Sequence, residues 1–138
     1  MKWRLFRSRL HGGDPDAERV YRWHIEARSG ARLSAGLATD RWKRTIDDYV
    51  VSAGTLFASM FVDGFDPKQA IPLDPNGELL DGSHRLACAL ALGIEAVPVT
   101  HSSRLAWAPA WGEAWFVEKG MAAEDLARLR ADYAALAS

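Results

Sequence analysis

The chain has 138 residues, long enough to bury one hydrophobic core and short for two, so a single domain over residues 1–138 is expected. Apolar residues make up 49% and charged ones 25%, which excludes a disordered chain, and a net charge of −1 lacks the basic excess of a stand-alone nucleic-acid binder. Cys88 is the sole cysteine, leaving no internal disulfide and no cysteine-built zinc site, and no apolar run approaches the about 20 residues of a membrane span.

Residues 1–10 lack the apolar centre of a signal peptide, so the expected location is the reducing cytoplasm, with no membrane partner. They carry Lys2, Arg4, Arg7 and Arg9, and His11-Gly12-Gly13-Asp14-Pro15 follows as a turn-rich stretch. Residues 1–18 therefore read as a flexible N-terminal arm. From Val20 to Ala27 apolar and polar residues alternate, which predicts a strand with Tyr21, Trp23 and Ile25 on one face and Arg22, His24 and Glu26 on the other. Residues 28–40, rich in Gly, Ser, Ala and Arg, read as a surface loop.

A helix is predicted over 45–62. Thr45 supplies its cap, Asp47 and Asp48 suit its positive end, and Ile46, Tyr49, Val50, Ala53, Leu56, Phe57 and Met60 form its apolar stripe before Gly64 ends it. Ile71 and Leu73 then mark a strand, Asp74-Pro75-Asn76-Gly77 a turn, and Glu78-Leu79-Leu80 a return strand. Leu86, Ala89 and Leu90 recur at helical spacing over 83–92, Gly93 offers a left-handed stop, and Glu95 to Thr100 reads as another strand.

Residues 101–138 form a Trp-rich segment and a terminal helix. Trp107, Trp111 and Trp115 are four apart, but Pro109 argues against one continuous helix. Over 122–136 an amphipathic helix presents Leu126, Leu129, Tyr133 and Leu136, suited to packing on the domain or on a protein partner. The expected class is α+β with a mixed sheet.

Chemistry concentrates in Asp81-Gly82-Ser83-His84-Arg85, where a strand end meets a helix start and free backbone N–H groups favour an anion. Gly82 permits close backbone approach, and Arg85 can offer a bidentate fork to phosphate oxygens. Ser83 suits either a helix cap or a phosphate contact. His84 can donate a hydrogen bond or move a proton, and Asp81 can close the turn, hold Mg2+ or act as a base.

The run from Ile71 through Asn76-Gly77-Glu78-Leu79-Leu80-Asp81-Gly82-Ser83-His84-Arg85 to Gly93, followed by Val97-Pro98-Val99, resembles the ParB/sulfiredoxin superfamily. That resemblance covers residues 69–99 and extends toward residue 45. It implies a small α+β domain whose Gly-His-Arg turn holds nucleotide phosphates, as in CTP-binding partition proteins, ATP-using sulfiredoxins and free-serine kinases. Sulfiredoxins carry a reactive cysteine where this chain has Ser83, so thiol redox chemistry is not expected at that position. The stretch after residue 100 is short for the helix-turn-helix domain of partition proteins.

The remaining expectation is a Mg2+-dependent phosphotransferase that uses ATP, ADP or CTP on a small hydroxylated metabolite or a glycan. Gly82, Ser83, His84 and Arg85 would grip the phosphates, with Lys43 and Arg44 approaching from before the 45–62 helix. Asp81, His84 and Glu26 are the catalytic candidates and Asp81 the metal ligand; Glu26 enters because an acidic residue follows the first strand in the serine-kinase relatives. The alternative is a non-catalytic nucleotide-sensing or protein-interaction module. A DNA-associated role rests on the basic segments alone.

Overall fold

Leu5 and Phe6 share one side of an N-terminal helix, α1 (Lys2–His11), where they are 2% and 0% exposed in the computed structural model, which describes residues 1–38, 40–106 and 112–138. Burying two such side chains is worth roughly 1.5–3 kcal/mol each, which is why residues 1–18 are not a flexible arm. Gly12 ends α1 in the left-handed conformation, its N–H donating to the Ser8 carbonyl.

The expected strand over Val20–Ala27 is instead the middle of helix α2 (Pro15–Ser29). Its ends carry the stronger signal. Asp14 accepts the Asp16 N–H at 3.0 Å, Pro15 occupies the first helical position, and Gly30 takes the left-handed stop. The alternating run also satisfies a helical period, because Ala17, Tyr21 and Ile25 are four apart; together with Val20 and His24 they form the buried face. The expected loop therefore begins only after Ser29.

Helix α3 (Ile46–Asp63) has the predicted start and stop. Thr45 and Asp48 exchange hydrogen bonds in a capping box, and Gly64 closes the helix. Val50, Ala53 and Met60 are its buried residues, with Tyr49, Leu56 and Phe57 packed against the same core. A short 3-10 turn (Pro67–Gln69) leads into β1 (Ile71–Leu73).

After β1, Asp74 turns the chain. Its carboxylate, 2% exposed, accepts the N–H groups of Asn76, Glu78 and Ala106, and Gly77 at φ 83° donates to the Asp74 carbonyl. Burial works against the Asp74 charge, but these donors outweigh it and hold the carboxyl below its usual range. The return strand is a single antiparallel bridge, Leu73 to Leu79.

Helix α4 (Ser83–Leu92) follows, ended by Gly93 as predicted, and β2 (Val99–His101) pairs with β1 in parallel, Ile71 opposite Val99. The buried side of α4 is Cys88, Ala89 and Ala91, while Leu90 is exposed. Small residues there let α4 lie close to α1 and α3. Cys88, 0% exposed, packs as a small hydrophobe, and burial raises its thiol to about 11. Helices thus dominate a small α+β unit with a two-stranded parallel sheet and one antiparallel bridge.

Although the length suggested one domain, contacts divide the chain into two compact units, Met1–Ala106 and Trp107–Ser138. The second contains α5 (Glu113–Glu118) and α6 (Ala123–Ala137), the latter being the predicted terminal helix. Arg130 of α6 grips the Glu113 carboxylate through both Nε and Nη2. Trp107, Pro109 and Trp111 lie outside the described residues; Trp115 stacks edge-on against Phe116 at 5.3 Å. Among the described residues no helix is long and apolar enough to cross a membrane.

Candidate functional site

The first turns of α1 and α4 meet. Lys2 Nζ lies 2.6 Å from Ser83 Oγ, across 81 positions of sequence. Beside them, His84 Nε2 shares a 2.8 Å hydrogen bond with the Tyr21 hydroxyl of α2, the two rings edge to face. Gly82 precedes α4 as its N-cap, and no side chain caps the first-turn N–H groups among the described residues. Those donors and the helix dipole make this end attractive to an anion.

Cations surround it. Burial, then the nearby positive charge of Arg28, push the Lys2 ammonium down to about 8, with Asp81 pulling the other way. Burial, then the charge of Lys2, also lower His84 and His24 to about 3, so both imidazoles are neutral at neutral pH. Lys43 acts on both Lys2 and His84. Tyr21 keeps its proton because burial raises its hydroxyl further. Arg28 and Lys43 also line a cavity of about 220 Å3 with Ser29, Arg32, Asp40 and Tyr49. That is below the about 300–1,000 Å3 of drug-sized sites, and suits a small polyanion better than an extended apolar ligand.

A larger cleft of about 710 Å3 runs beside Ser8 and Arg9 of α1, Asp14, and Glu18, Arg19 and Arg22 of α2, and it mixes acidic with basic groups. Arg19 pairs with Asp16, and Arg22 with Glu18 and Asp47. Acidic and basic groups alternate there, whereas the smaller cavity is cationic.

Of the residues expected to form the site, Ser83 and His84 stand together at the start of α4, and the charge of Lys43, whose amine lies over the Tyr49 ring at 5.3 Å, acts on His84. Ser83 does not cap α4, because Gly82 holds that position and Ser83 faces Lys2. His84 is held neutral against Tyr21, which makes it a hydrogen-bonding group and a poor base. Arg85 turns elsewhere. Its guanidinium donates to the Gln69 and Ala70 carbonyls, approaches Asp81 at 3.5 Å and lies over Gly82. The space above Gly82 is therefore filled by the protein's own arginine, which straps the 3-10 turn to α4.

Asp81 is 80% exposed and paired with that arginine. Arg44 is exposed, and its backbone N–H donates to Asp48. Glu26 belongs to α2, two residues from Arg28 and so about 200° around the helix from it. Its Oε2 is enclosed with no hydrogen-bond partner among the described residues. No group of three His, Cys, Asp or Glu side chains among the described residues has the spacing of a metal site, and Asp81 stands alone as a carboxylate there.

Sequence reasoning missed Lys2, Tyr21 and Arg28. The signal available was weak: Lys2 belongs to a basic segment read as an arm, and Arg28 to a segment read as a loop. Gly82, at φ 86°, has a definite role. Gly82→Ala should cost about 1–2 kcal/mol from the left-handed backbone alone, with more from a Cβ that would meet Arg85 at 3.1 Å. Urea unfolding checks this, and unchanged stability would mean the turn relaxes freely.

Compared with known proteins, the chain matches no family model, no curated protein and no solved structure.

Proposed function

We propose that residues 1–106 bind the phosphate groups of a nucleotide at the start of α4, as part of a phosphotransferase acting on a small hydroxylated metabolite or glycan. The observation that carries this reading is Lys2 against Ser83 at the start of α4, with the charges of Arg28 and Lys43 acting on Lys2 and on the neutral His84. Three cations beside an uncapped helix N-terminus form an electrostatic well for a di- or triphosphate. The ParB/sulfiredoxin resemblance of residues 69–99 supports the same ligand class, and the strand, turn and helix order over 71–92 agrees with it. A buried, protonated Cys88 fits a reducing cytoplasmic setting.

A second reading, a nucleotide sensor without turnover, draws support from the carboxylates. Asp81 is exposed and bound to Arg85, and Glu26 projects from another side of α2 than Arg28. Both readings share the binding step.

Titration calorimetry with ATP, ADP, CTP and GTP, with and without Mg2+, tests that step. Arg28→Ala and Lys43→Ala should each weaken binding about 10- to 100-fold, the loss of one charge-assisted hydrogen bond at about 1.5–3 kcal/mol. Arg19→Ala, whose partner is Asp16, serves as the control and should bind as the parent does. Absence of binding by all four nucleotides would overturn the reading.

A further inference from the structure

At the start of α4 a lysine meets a hydroxyl. Lys2 Nζ approaches Ser83 Oγ at 2.6 Å, while the carboxylate that acts on Lys2, Asp81, is exposed and engaged by Arg85. We propose that Ser83 is a nucleophile that accepts a phosphoryl group from a nucleoside triphosphate, with Lys2 as its general base. The inference rests on the nucleotide reading above and adds a covalent step to it.

Position makes Lys2 the base, because its amine is the group that meets the Ser83 hydroxyl, and the depressed basicity of its neighbours agrees. His24 and His84, lowered to about 3, are too weak to take a proton from a hydroxyl near neutral pH. Lys2, lowered to about 8 by burial and by Arg28, is roughly one-tenth neutral at pH 7 and half neutral at pH 8. A neutral amine 2.6 Å from a serine oxygen has the reach and the proton affinity for the task. Arg28 and Lys43 stay charged and neutralise the phosphates while the Lys2 proton moves.

Ser83 is suited by position as well as by partner. It is the first residue of α4, and its hydroxyl makes no cap bond that attack would break. A phosphate on Ser83 would sit at a helix N-terminus beside Lys2, with the charges of Arg28 and Lys43 near, so the covalent product is electrostatically favoured. This arrangement also supplies a base without Asp81 or Glu26.

In the step, neutral Lys2 takes the Ser83 Oγ proton as the bond from Oγ to the γ-phosphorus forms. The bond from that phosphorus to the β–γ bridging oxygen breaks, and the nucleoside diphosphate leaves with the electron pair. Lys2, now an ammonium, faces the phosphoserine. In the return step an acceptor hydroxyl takes the phosphoryl group and releases its proton to solvent, while Lys2 gives its proton back to Ser83 Oγ.

The test incubates the full chain with γ-32P-labelled ATP, CTP or GTP, with and without Mg2+, over pH 6.5–9, and maps any label by mass spectrometry. One phosphate on Ser83 is expected, forming faster as pH rises toward 8 and Lys2 loses its proton. The groups facing Lys2 are Arg28 and the neutral His24 of α2, Lys43 before α3, and Asp81, Ser83 and the neutral His84 at the start of α4; Arg28 and Lys43 oppose its charge and Asp81 favours it. Ser83→Ala should bind nucleotide and take no label. Lys2→Arg keeps the positive charge but removes the base, so binding should persist while labelling slows about 10²- to 10⁴-fold. Nucleotide binding without phosphoserine, or a Lys2→Arg variant labelled at the parent rate, would overturn the inference and leave the binding reading intact. Loss of all nucleotide binding would overturn both.

Discussion

Lowering the pH from 7 to 5 is expected to remove about 4 kcal/mol of folding stability, about 2 from each of His24 and His84. Their imidazoles are lowered from 6.5 to about 3 in the folded chain, first by burial and then by the charge of Lys2. A base with a depressed folded pKa binds its proton in the unfolded chain first. Stability is therefore complete above about 6.5 and falls continuously as pH drops toward 3. The lowered carboxyls of Asp40, Asp48 and Asp74 lose their share only nearer pH 4, and Lys2, lowered to about 8, stays about nine-tenths or more protonated across this window, so the histidines dominate it. Against a typical total of about 5–15 kcal/mol, such a loss brings the domain close to unfolding. Urea titrations at pH 7, 6 and 5 measure the effect, and His24→Gln or His84→Gln should each flatten the slope by about half. A midpoint independent of pH would show that the imidazoles protonate as readily folded as unfolded.

Phe6→Ala should destabilise the protein by about 3–5 kcal/mol and, on the proposed nucleotide reading, abolish binding together with it. The ring is 0% exposed and stacks on Phe57 at 6.3 Å with the planes 9° apart. Removing it leaves a cavity between α1 and α3 that neither helix can close. The functional consequence follows from position: α1 delivers Lys2 to Ser83, and Leu5 and Phe6 are its buried residues. Phe6→Leu, which keeps most of the volume, should lose far less of both properties. Calorimetric binding and urea unfolding on the two variants check this. Full nucleotide affinity in a folded Phe6→Ala variant would mean that α1 reaches α4 without its anchor.

Local signals served well where both ends of an element were marked. Thr45 with Asp48 and Gly64 bracket α3, and Gly82 and Gly93 bracket α4, because caps and stops act within a few residues of the backbone groups they satisfy. The reading of Val20–Ala27 failed because alternation and a four-residue period coexist in Tyr21-Arg22-Trp23-His24-Ile25. The Asp14-Pro15 start and Gly30 stop, read as loop residues, favoured the helix. The arm failed for a different reason: Leu5 and Phe6 gain burial only against other helices, the adjoining α2 and the distant α3 and α4.

The candidate site divides the same way. Ser83 and His84 open a helix behind a recognisable glycine turn, so their place at a helix N-terminus follows from sequence alone. Arg85 does too, but its direction does not: the carbonyls of Gln69 and Ala70 and the space over Gly82 drew it away from the expected phosphates. Lys2 reaches Ser83 across 81 residues, and Tyr21 reaches His84 across 63. Sequence by itself determined the caps, the turns and the residue types at the start of α4, since these depend on neighbours along the chain. Only the tertiary structure decided which cations gather there and which amine meets the serine, because packing of α1 and α2 against α4 brings together charges that chain order keeps apart.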